Sequence, residues 1–258
     1  MLLAIDVGNT NITFGLLEGK TILGSFRQVT DPARAAADIG QALARDLEAL
    51  GVQPHQVEDA IIDSVVPPVM DALTAAVEGV IGKRPLVVDE DMDPGLPYEA
   101  EERLGADRAV CCVAAMEKYG KPVIVLDFGT ATTVDAVAAD GSYLGGCILA
   151  GIRTSANALF GNTAMLPQID LKLPPTVLGR DAVTQIQAGS VMGAIGSAEY
   201  LIRRTKKEMG YGDAVPVIAT GGLGRLVAEH SDYIDVVESD LVLDGLRLIY
   251  ERYRTTGK

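Results

Sequence analysis

The sequence is poor in several residues on which particular classes of protein depend. Its 258 residues include no tryptophan, two histidines and three cysteines, and aromatic residues make up only 5% of the chain. The cysteines, Cys111, Cys112 and Cys147, lack the paired spacing of a zinc site. Their odd number, with two adjacent members, argues against a disulfide framework. We therefore interpret them as small apolar residues in a reducing compartment.

Basic residues are also scarce. Lysine and arginine number 22 against 35 aspartates and glutamates, which gives a formal net charge of −13. A surface of this sign is unsuited to neutralising a phosphate backbone, so nucleic acid is not an expected partner. A phosphate group bound by such a chain has to be held by backbone N–H groups and a metal ion rather than by a general positive field.

Long apolar runs are absent as well, and none approaches the roughly 18 residues that a membrane span needs. The start of the chain has no basic segment and reaches Asp6 too early for a signal peptide. We therefore expect no membrane partner and a cytoplasmic location. The hydrophobic share of 48% is sufficient for a substantial core.

What the chain does contain is one order of predicted elements that occurs twice. Three strands joined by Gly-containing turns are predicted over 2–29, followed by helices and a further strand. A second set of three strands over 123–149 is followed by helices, including a long one over 182–209, and again by a strand. The repetition predicts two α/β domains, 1–118 and 119–258. A cleft between two such domains would be a preferred ligand site.

A carboxylate, a glycine and small polar residues end the first strand, in the run Asp6–Asn11 (DVGNTN). Such a turn offers N–H groups and a hydroxyl to an anion, and Asp6 can hold a hydrated Mg²⁺. The same residues would also suit an ordinary hairpin turn. The run Asp127–Thr130 (DFGT) repeats the design at the corresponding place in the second half. Two such turns facing each other could bind the phosphate chain of a nucleotide from both sides.

A third glycine-containing turn, Thr220–Gly222, follows an apolar strand and precedes a helix. Glycines there let the backbone lie against an adenine ring or a ribose, although such a turn often contains glycine in any case. Two phosphate turns followed by an adenosine turn resemble the actin-like ATPase superfold, which includes hexokinase-like sugar kinases and acetate kinase. This resemblance implies a duplicated ribonuclease H-like fold with two mixed sheets flanked by helices. Because fold alone does not give function, the substrate has to be inferred from other residues.

The run Gly105–Arg108 (GADR) begins a predicted helix between the two halves. Asp107 is a candidate general base for a hydroxyl, and Arg108 could pair with a substrate carboxylate in forked geometry. In phosphoryl transfer, positioning and one proton acceptor suffice for the nucleophile. The alternative interpretation is a solvated helix start, where aspartate is favoured in any case.

Taken together, DVGNT from Asp6, GADR from Gly105, DFGTATT from Asp127 and TGG from Thr220 resemble the type III pantothenate kinases in order and spacing. The resemblance covers nearly the whole chain. It implies ATP-dependent phosphorylation of pantothenate to 4′-phosphopantothenate, the first step of coenzyme A biosynthesis. It also implies Mg²⁺ with the ATP, a required K⁺ or NH₄⁺ ion, and a homodimer with the active site close to the subunit interface.

The same resemblance implies roles for individual residues. Asp107 would accept the proton of the primary alcohol, Asp127 would help to bind the monovalent cation, and Asp6 would face the Mg²⁺ of ATP. The residues expected to bind ATP are Asp6, Val7, Gly8, Asn9, Thr10, Asn11, Ile12, Thr13 and Thr130, with Gly221 and Gly222 beside the adenosine. The residues expected to hold pantothenate are Tyr98, Gly105, Ala106, Asp107, Arg108 and the residue at position 182, which is Ala182.

The chain departs from the family pattern on the acceptor side. Ala182 stands where the family usually has a threonine that contacts pantothenate, and losing one hydrogen bond costs about 0.5–1.5 kcal/mol. Ala150 replaces a usual proline, and Glu99 and Ala100 replace the Asn-Pro that often follows Tyr98. Two alternatives therefore stay open. One is a paralogous kinase with another hydroxy acid as acceptor, and the other is a non-catalytic nucleotide-binding regulator.

Overall fold

A computed structural model describes residues 1–88, 92, 94–97 and 104–256 of the chain. The strands are β1 Leu2–Val7, β2 Asn11–Glu18, β3 Thr21–Val29, β4 Asp59–Ser64, β5 Leu86–Val87, β6 Val123–Phe128, β7 Ala131–Val137, β8 Tyr143–Ala150, β9 Val217–Thr220 and β10 Val236–Val237. The helices are α1 Ala36–Ala49, α2 Met70–Ile81, α3 Ala106–Tyr119, α4 Ile152–Gly161, α5 Ala182–Gln187, α6 Gly193–Met209, α7 Gly224–Ala228 and α8 Leu241–Thr256.

The strands form two mixed sheets of five strands each, in the orders β3-β2-β1-β4-β5 and β8-β7-β6-β9-β10. In each sheet the first three strands of the chain pair antiparallel, and the remaining two add in parallel. The predicted duplicated fold with two mixed sheets is therefore confirmed. The helix predicted to follow Thr220–Gly222 is α7. The prediction missed β5 and β10, because strands of two residues carry no measurable periodicity.

The predicted long helix over 182–209 is divided into three parts. Helices α5 and α6 are separated by a π-helical turn at Ala188–Met192. An inserted π turn adds one residue to the backbone spiral without ending it. A hydrophobic pattern read from the sequence therefore continues across the turn, which explains why the interruption was not predicted.

The first compact unit comprises the described residues 1–88, 92, 94–95, 104–114 and 242–256. Its central strands are buried on both faces, so their apolar residues are continuous rather than alternating. On β1, Leu3 and Ile5 pack with α1 and α2 on one face. Leu2 and Ala4 pack on the other face with Val110 of α3 and with α8. Because side chains alternate along a strand, Asp6 also faces α3 and α8.

Helix α8 belongs to this unit although it is the last element of the chain. Leu243 and Leu246 pack on the first sheet, and the Tyr250 hydroxyl donates a hydrogen bond to Asp59 Oδ2 at 2.8 Å. A Cβ added at Gly245 would lie 2.3 Å from the carbonyl oxygen of Val110, so glycine permits a close approach of α8 to α3. The predicted limits 1–118 and 119–258 describe the duplicated pattern and stay a prediction. The packing units differ from them, because the apolar face of α8 covers the first sheet.

The second unit comprises the described residues 96–97 and 115–241. Its core is formed by β6 and β9, through Leu126, Phe128 and Val217, against Ile195 and Ile202 of α6. Strand β8 forms one edge of this sheet, and alternate residues of β8 are exposed. Within the described part of the chain, no helix is both long and apolar enough to cross a bilayer.

Candidate active site

The turn between β1 and β2 is held in shape by hydrogen bonds from its own backbone and from Thr30, the residue after β3. The N–H of Gly8 donates to the carbonyl of Asn11 at 3.0 Å, and the Thr30 hydroxyl donates to the carbonyl of Gly8 at 2.6 Å. The backbone N–H of Thr30 also donates to the carbonyl of Thr10 at 3.1 Å. Asn9, Thr10 and Asn11 are exposed. The predicted phosphate turn is therefore well defined and accessible to a ligand.

Asp107 lies in the first turn of α3, within the same unit. Its Oδ1 accepts a hydrogen bond from the backbone N–H of Arg108 at 2.8 Å. A Cβ added at Gly105 would lie 2.8 Å from the same oxygen, so a side chain at position 105 would displace the carboxylate. Val110, one turn further along, packs in one apolar cluster with Ile61 of β4, which fixes α3 over this face of the sheet. A helix N-terminus favours negative charge, so the position suits a carboxylate base.

A third carboxyl group, Asp63 on β4, was not predicted to belong to the site. Asp63 is the register partner of Asp6 on the parallel strand β1. It is fully buried, at 0% exposure, and none of the described residues donates a hydrogen bond to its carboxylate oxygens from another position. Burial raises the pKa of Asp63 well above its usual value, the charges of Asp6 and Asp107 raise it further, and its own backbone N–H lowers it. Three carboxyl groups therefore converge within the first unit.

A signal for Asp63 is present in the sequence. The prediction placed a strand over 60–66, and Asp63 follows directly on Ala60, Ile61 and Ile62 in that run. An ionisable residue inside a strand buried on both faces is costly unless it is paired or coordinates a metal. An aspartate at such a place therefore points to a function.

We expect Asp63→Asn to stabilise the metal-free protein at neutral pH. A carboxyl group whose pKa is raised by folding supports the folded state only while protonated, so its contribution is lost as the pH rises above the unfolded-state pKa of about 3.9. The neutral amide lacks this penalty. Thermal unfolding in EDTA should show the largest gain near pH 7, narrowing as the pH falls towards about 4. A variant less stable than the wild type at pH 7 would contradict this interpretation.

The second predicted phosphate turn, between β6 and β7, is supported by residues that follow β8. The N–H of Gly151 and the hydroxyl of Thr154 donate to the carbonyl of Thr130, at 3.0 and 2.7 Å. A Cβ added at Gly151 would lie 2.4 Å from the carbonyl oxygens of both Gly129 and Thr130. Gly151 and Thr154 were not among the predicted site residues. They are identified only by their long-range contacts with the backbone of Thr130, which the periodicity of the sequence does not reveal.

The predicted adenosine turn lies against the second phosphate turn. Gly221 has a φ of 84°, and a Cβ there would lie 2.2 Å from Asp127 Oδ1 and 2.7 Å from the backbone of Phe128. The N–H of Leu223 donates to the carbonyl of Phe128 at 3.3 Å. The structure therefore brings Asp127, Thr130 and Gly221 together within the second unit.

Four of the remaining predicted residues fall in three groups. The side chains of Val7 and Ile12 are in the core of the first unit, at 0% and 2% exposure, so any contact of theirs with ATP would be made by the backbone. Ala182 is the first residue of α5 and is half-buried, directly after Asp181, whose carboxylate accepts a hydrogen bond from the backbone N–H of Thr184. Tyr98 lies outside the described residues.

The repeated sheet order, with an Asp-containing turn after the first strand of each half, is that of the actin-like ATPase fold. The chain resembles a crystal structure from Sinorhizobium meliloti assigned as a 2-dehydro-3-deoxygalactonokinase, with a TM-score of 0.56, 14% identity, and 98% and 96% of the two chains covered. It also resembles a Campylobacter jejuni structure assigned to the Baf family of transcriptional activators, with a TM-score of 0.62, 18% identity, and 98% and 99% covered. At these identities both likenesses concern the fold alone.

Sequence comparison identifies the family to which the chain belongs. The family model described as type III pantothenate kinase matches residues 2–204. An Agathobacter rectalis protein named type III pantothenate kinase is 43% identical over 259 aligned residues, which cover 100% of this chain and 99% of that protein. The chain belongs to the type III pantothenate kinase family.

Proposed function

We propose that this chain transfers the terminal phosphoryl group of ATP to the primary alcohol of pantothenate, giving 4′-phosphopantothenate for coenzyme A biosynthesis. Beside the family membership, one structural observation carries the proposal. Asp6, at the first phosphate turn, is on the face of the first sheet that is turned towards α3, and Asp107 lies in the first turn of α3. A phosphate-side carboxylate and a candidate base therefore lie close together in one unit, and phosphoryl transfer requires both to be positioned around the nucleophile.

In this reaction Asp107 accepts the proton of the alcohol while the oxygen attacks phosphorus. Its Oδ1 accepts a hydrogen bond from the N–H of Arg108, which orients the carboxylate at the start of α3. The guanidinium of Arg108 is suited to bind the pantothenate carboxylate through two parallel hydrogen bonds. The main task of these residues is to fix the acceptor in line with the phosphate, and misplacement by 1 Å can cost about 100-fold in rate.

We assign ATP-binding residues separately in each unit: Asp6–Thr13 in the first, and Thr130, Gly221 and Gly222 in the second. The exposed turn after β1 and the close backbone approach at Gly221 support this assignment. Mg²⁺, when bound with ATP, would neutralise charge on the phosphates. The donors fit this ion, because carboxylate oxygens are its preferred protein ligands and those of Asp63 are buried without a hydrogen-bond donor from another described residue.

Asp127 is assigned to the monovalent cation, K⁺ or NH₄⁺. Its carboxylate is confined against Gly221 at the end of β6, beside the second phosphate turn. We further propose a cytoplasmic location, where ATP and K⁺ are plentiful, and no nucleic-acid or membrane partner.

The decisive experiment is a coupled ATP-consumption assay of the purified chain with Mg²⁺ and NH₄⁺, with and without pantothenate. Formation of 4′-phosphopantothenate is followed by mass spectrometry. Pantothenate-dependent turnover, retained with K⁺ and lost with Na⁺ alone, would support both the reaction and the cation. A folded, ATP-binding chain that never phosphorylates pantothenate would refute the proposal and favour the regulatory alternative.

A second acceptor is favoured by one observation, the alanine at position 182. We expect Ala182→Thr to lower KM for pantothenate by about twofold to tenfold, because one hydrogen bond is added. The substitution fits the start of α5, where the Asp181–Thr184 cap is unaffected. Steady-state kinetics on pantothenate measure the effect. A far larger gain would indicate that the natural acceptor is another hydroxy acid.

We also propose that the chain forms a homodimer. Strand β8 and α6 expose Leu144, Ile148 and Tyr200, at 52%, 64% and 57%. Leu144 and Tyr200 line a cavity of about 660 Å³ in the second unit. Apolar and aromatic groups on an edge strand are typical of an interface. Sedimentation equilibrium should give a dimer that Ile148→Arg weakens. A wild-type monomer at micromolar concentration would contradict the proposal.

A further inference from the structure

The face of β4 that is turned towards α3 and α8 carries Asp59, Ile61 and Asp63 at every second position. Ile61 is part of the apolar cluster. Asp59 accepts a hydrogen bond from the Tyr250 hydroxyl at 2.8 Å and lies 3.7 Å from a guanidinium nitrogen of Arg254. Asp63 has no comparable partner among the described residues, although it is the more deeply buried of the two aspartates.

The register of the sheet places Asp63 beside Asp6 on the neighbouring parallel strand. Adjacent strands are about 4.8 Å apart, and side chains at paired positions are on the same face. Oxygen ligands stand about 2.1 Å from Mg²⁺, so two of them on one ion are separated by about 4.2 Å at most. One ion can therefore contact both carboxylates without displacement of either strand.

The charge balance of this place also favours a cation. Asp6 and Asp107 act on Asp63 with the same sign of charge. Buried carboxylates are found paired or coordinated to metals, because burial of an isolated one is costly. We infer that Asp63, together with Asp6, is a direct ligand of the divalent cation, with Asp63 contacting it from the buried side.

This inference rests on the proposed kinase function, since the ion concerned is the one that accompanies ATP. Within the described part of the chain, no group of three or more acidic, His or Cys side chains is arranged to hold a metal ion alone. Two carboxylates match the usual Mg²⁺ site of phosphoryl-transfer enzymes, where phosphate oxygens and water supply the other ligands. Asp107 then acts as the base for the acceptor alcohol and is not a metal ligand. The cation would also relieve the cost of burying Asp63, and so couple metal binding to stability.

The test uses Mn²⁺ as a paramagnetic substitute for Mg²⁺, with a non-hydrolysable ATP analogue and the full chain. Free Mn²⁺ is measured by electron paramagnetic resonance for the wild type, Asp63→Asn and the matched control Asp59→Asn. The control removes the same charge from the same face of the same strand. We expect Asp63→Asn to weaken Mn²⁺ binding by at least about 10-fold, and Asp59→Asn to leave it unchanged. Equal affinity of the wild type and Asp63→Asn would overturn the inference.

Thermal unfolding provides a second readout that does not involve turnover. Mn²⁺ with the ATP analogue should raise the unfolding temperature of the wild type and of Asp59→Asn by more than that of Asp63→Asn. An equal rise in all three would count against the site. Failure of the kinase proposal would give a different result. The wild-type chain would bind Mn²⁺ through Asp63 and yet not phosphorylate pantothenate.

Discussion

Replacement of Asp107 by asparagine is expected to lower kcat for pantothenate phosphorylation by about 10²–10⁴-fold, with ATP binding nearly unchanged. The amide keeps the size of the side chain, and its oxygen can still accept the hydrogen bond from the N–H of Arg108. It cannot accept the proton of the alcohol. The loss should therefore appear in kcat rather than in the KM of either substrate. The measurement is the coupled assay, combined with calorimetric titration of an ATP analogue.

Asp71→Asn is the matched control for this variant. Asp71 also lies in the first turn of a helix, α2, and is exposed. Its removal tests whether loss of a negative charge at a helix N-terminus explains the effect. We expect the control to turn over pantothenate like the wild type. Turnover by Asp107→Asn at the wild-type rate would show that another group takes the proton, whereas a variant that also fails to bind ATP would point to a structural role.

The duplicated fold could be predicted because its evidence is local. Each half opens with strands whose apolar runs are separated by glycine-containing turns, and the hairpins β1–β2 and β6–β7 follow from that pattern. The Asp6 and Asp127 turns were found for the same reason, since carboxylate, glycine and hydroxyl are contiguous in sequence. The segments missed are those whose pairing is entirely tertiary, such as β5, which adds two residues to the edge beyond β4.

The site was predicted less completely than the fold, because its supports are distant in sequence. Asp63 is 57 positions from Asp6, and only the parallel pairing of β1 with β4 makes them neighbours. Gly151 contacts Thr130 from the far end of β8, which the sequence marks only as one more glycine. The placement of α8 on the first sheet was not predicted for the same reason. Its apolar face is evident, but the sequence does not indicate which sheet that face covers.

The second large effect is expected at Gly221, where the backbone adopts a conformation that side chains disfavour. Gly221→Ala should destabilise the second unit, because a residue with a Cβ at φ 84° costs about 1–2 kcal/mol. The methyl group would also lie 2.2 Å from Asp127 Oδ1, and such overpacking adds about 1–3 kcal/mol. The unfolding temperature should fall by about 2–4 °C for each kcal/mol. Differential scanning calorimetry measures this effect.

Gly221→Ala should impair nucleotide binding as well as lower stability. Relief of the clash requires movement of the Asp127 carboxylate or of the backbone at Phe128, and both belong to the predicted second phosphate turn. We therefore expect weaker binding of the ATP analogue and loss of the response to K⁺ at temperatures where the variant is still folded. Gly161→Ala is the control, since a Cβ at this exposed end of α4 meets no atom within 4 Å. Unchanged nucleotide affinity in Gly221→Ala would contradict the assignment of the turn Thr220–Gly222 to ATP binding. It would also show that displacement of Asp127 does not affect the nucleotide.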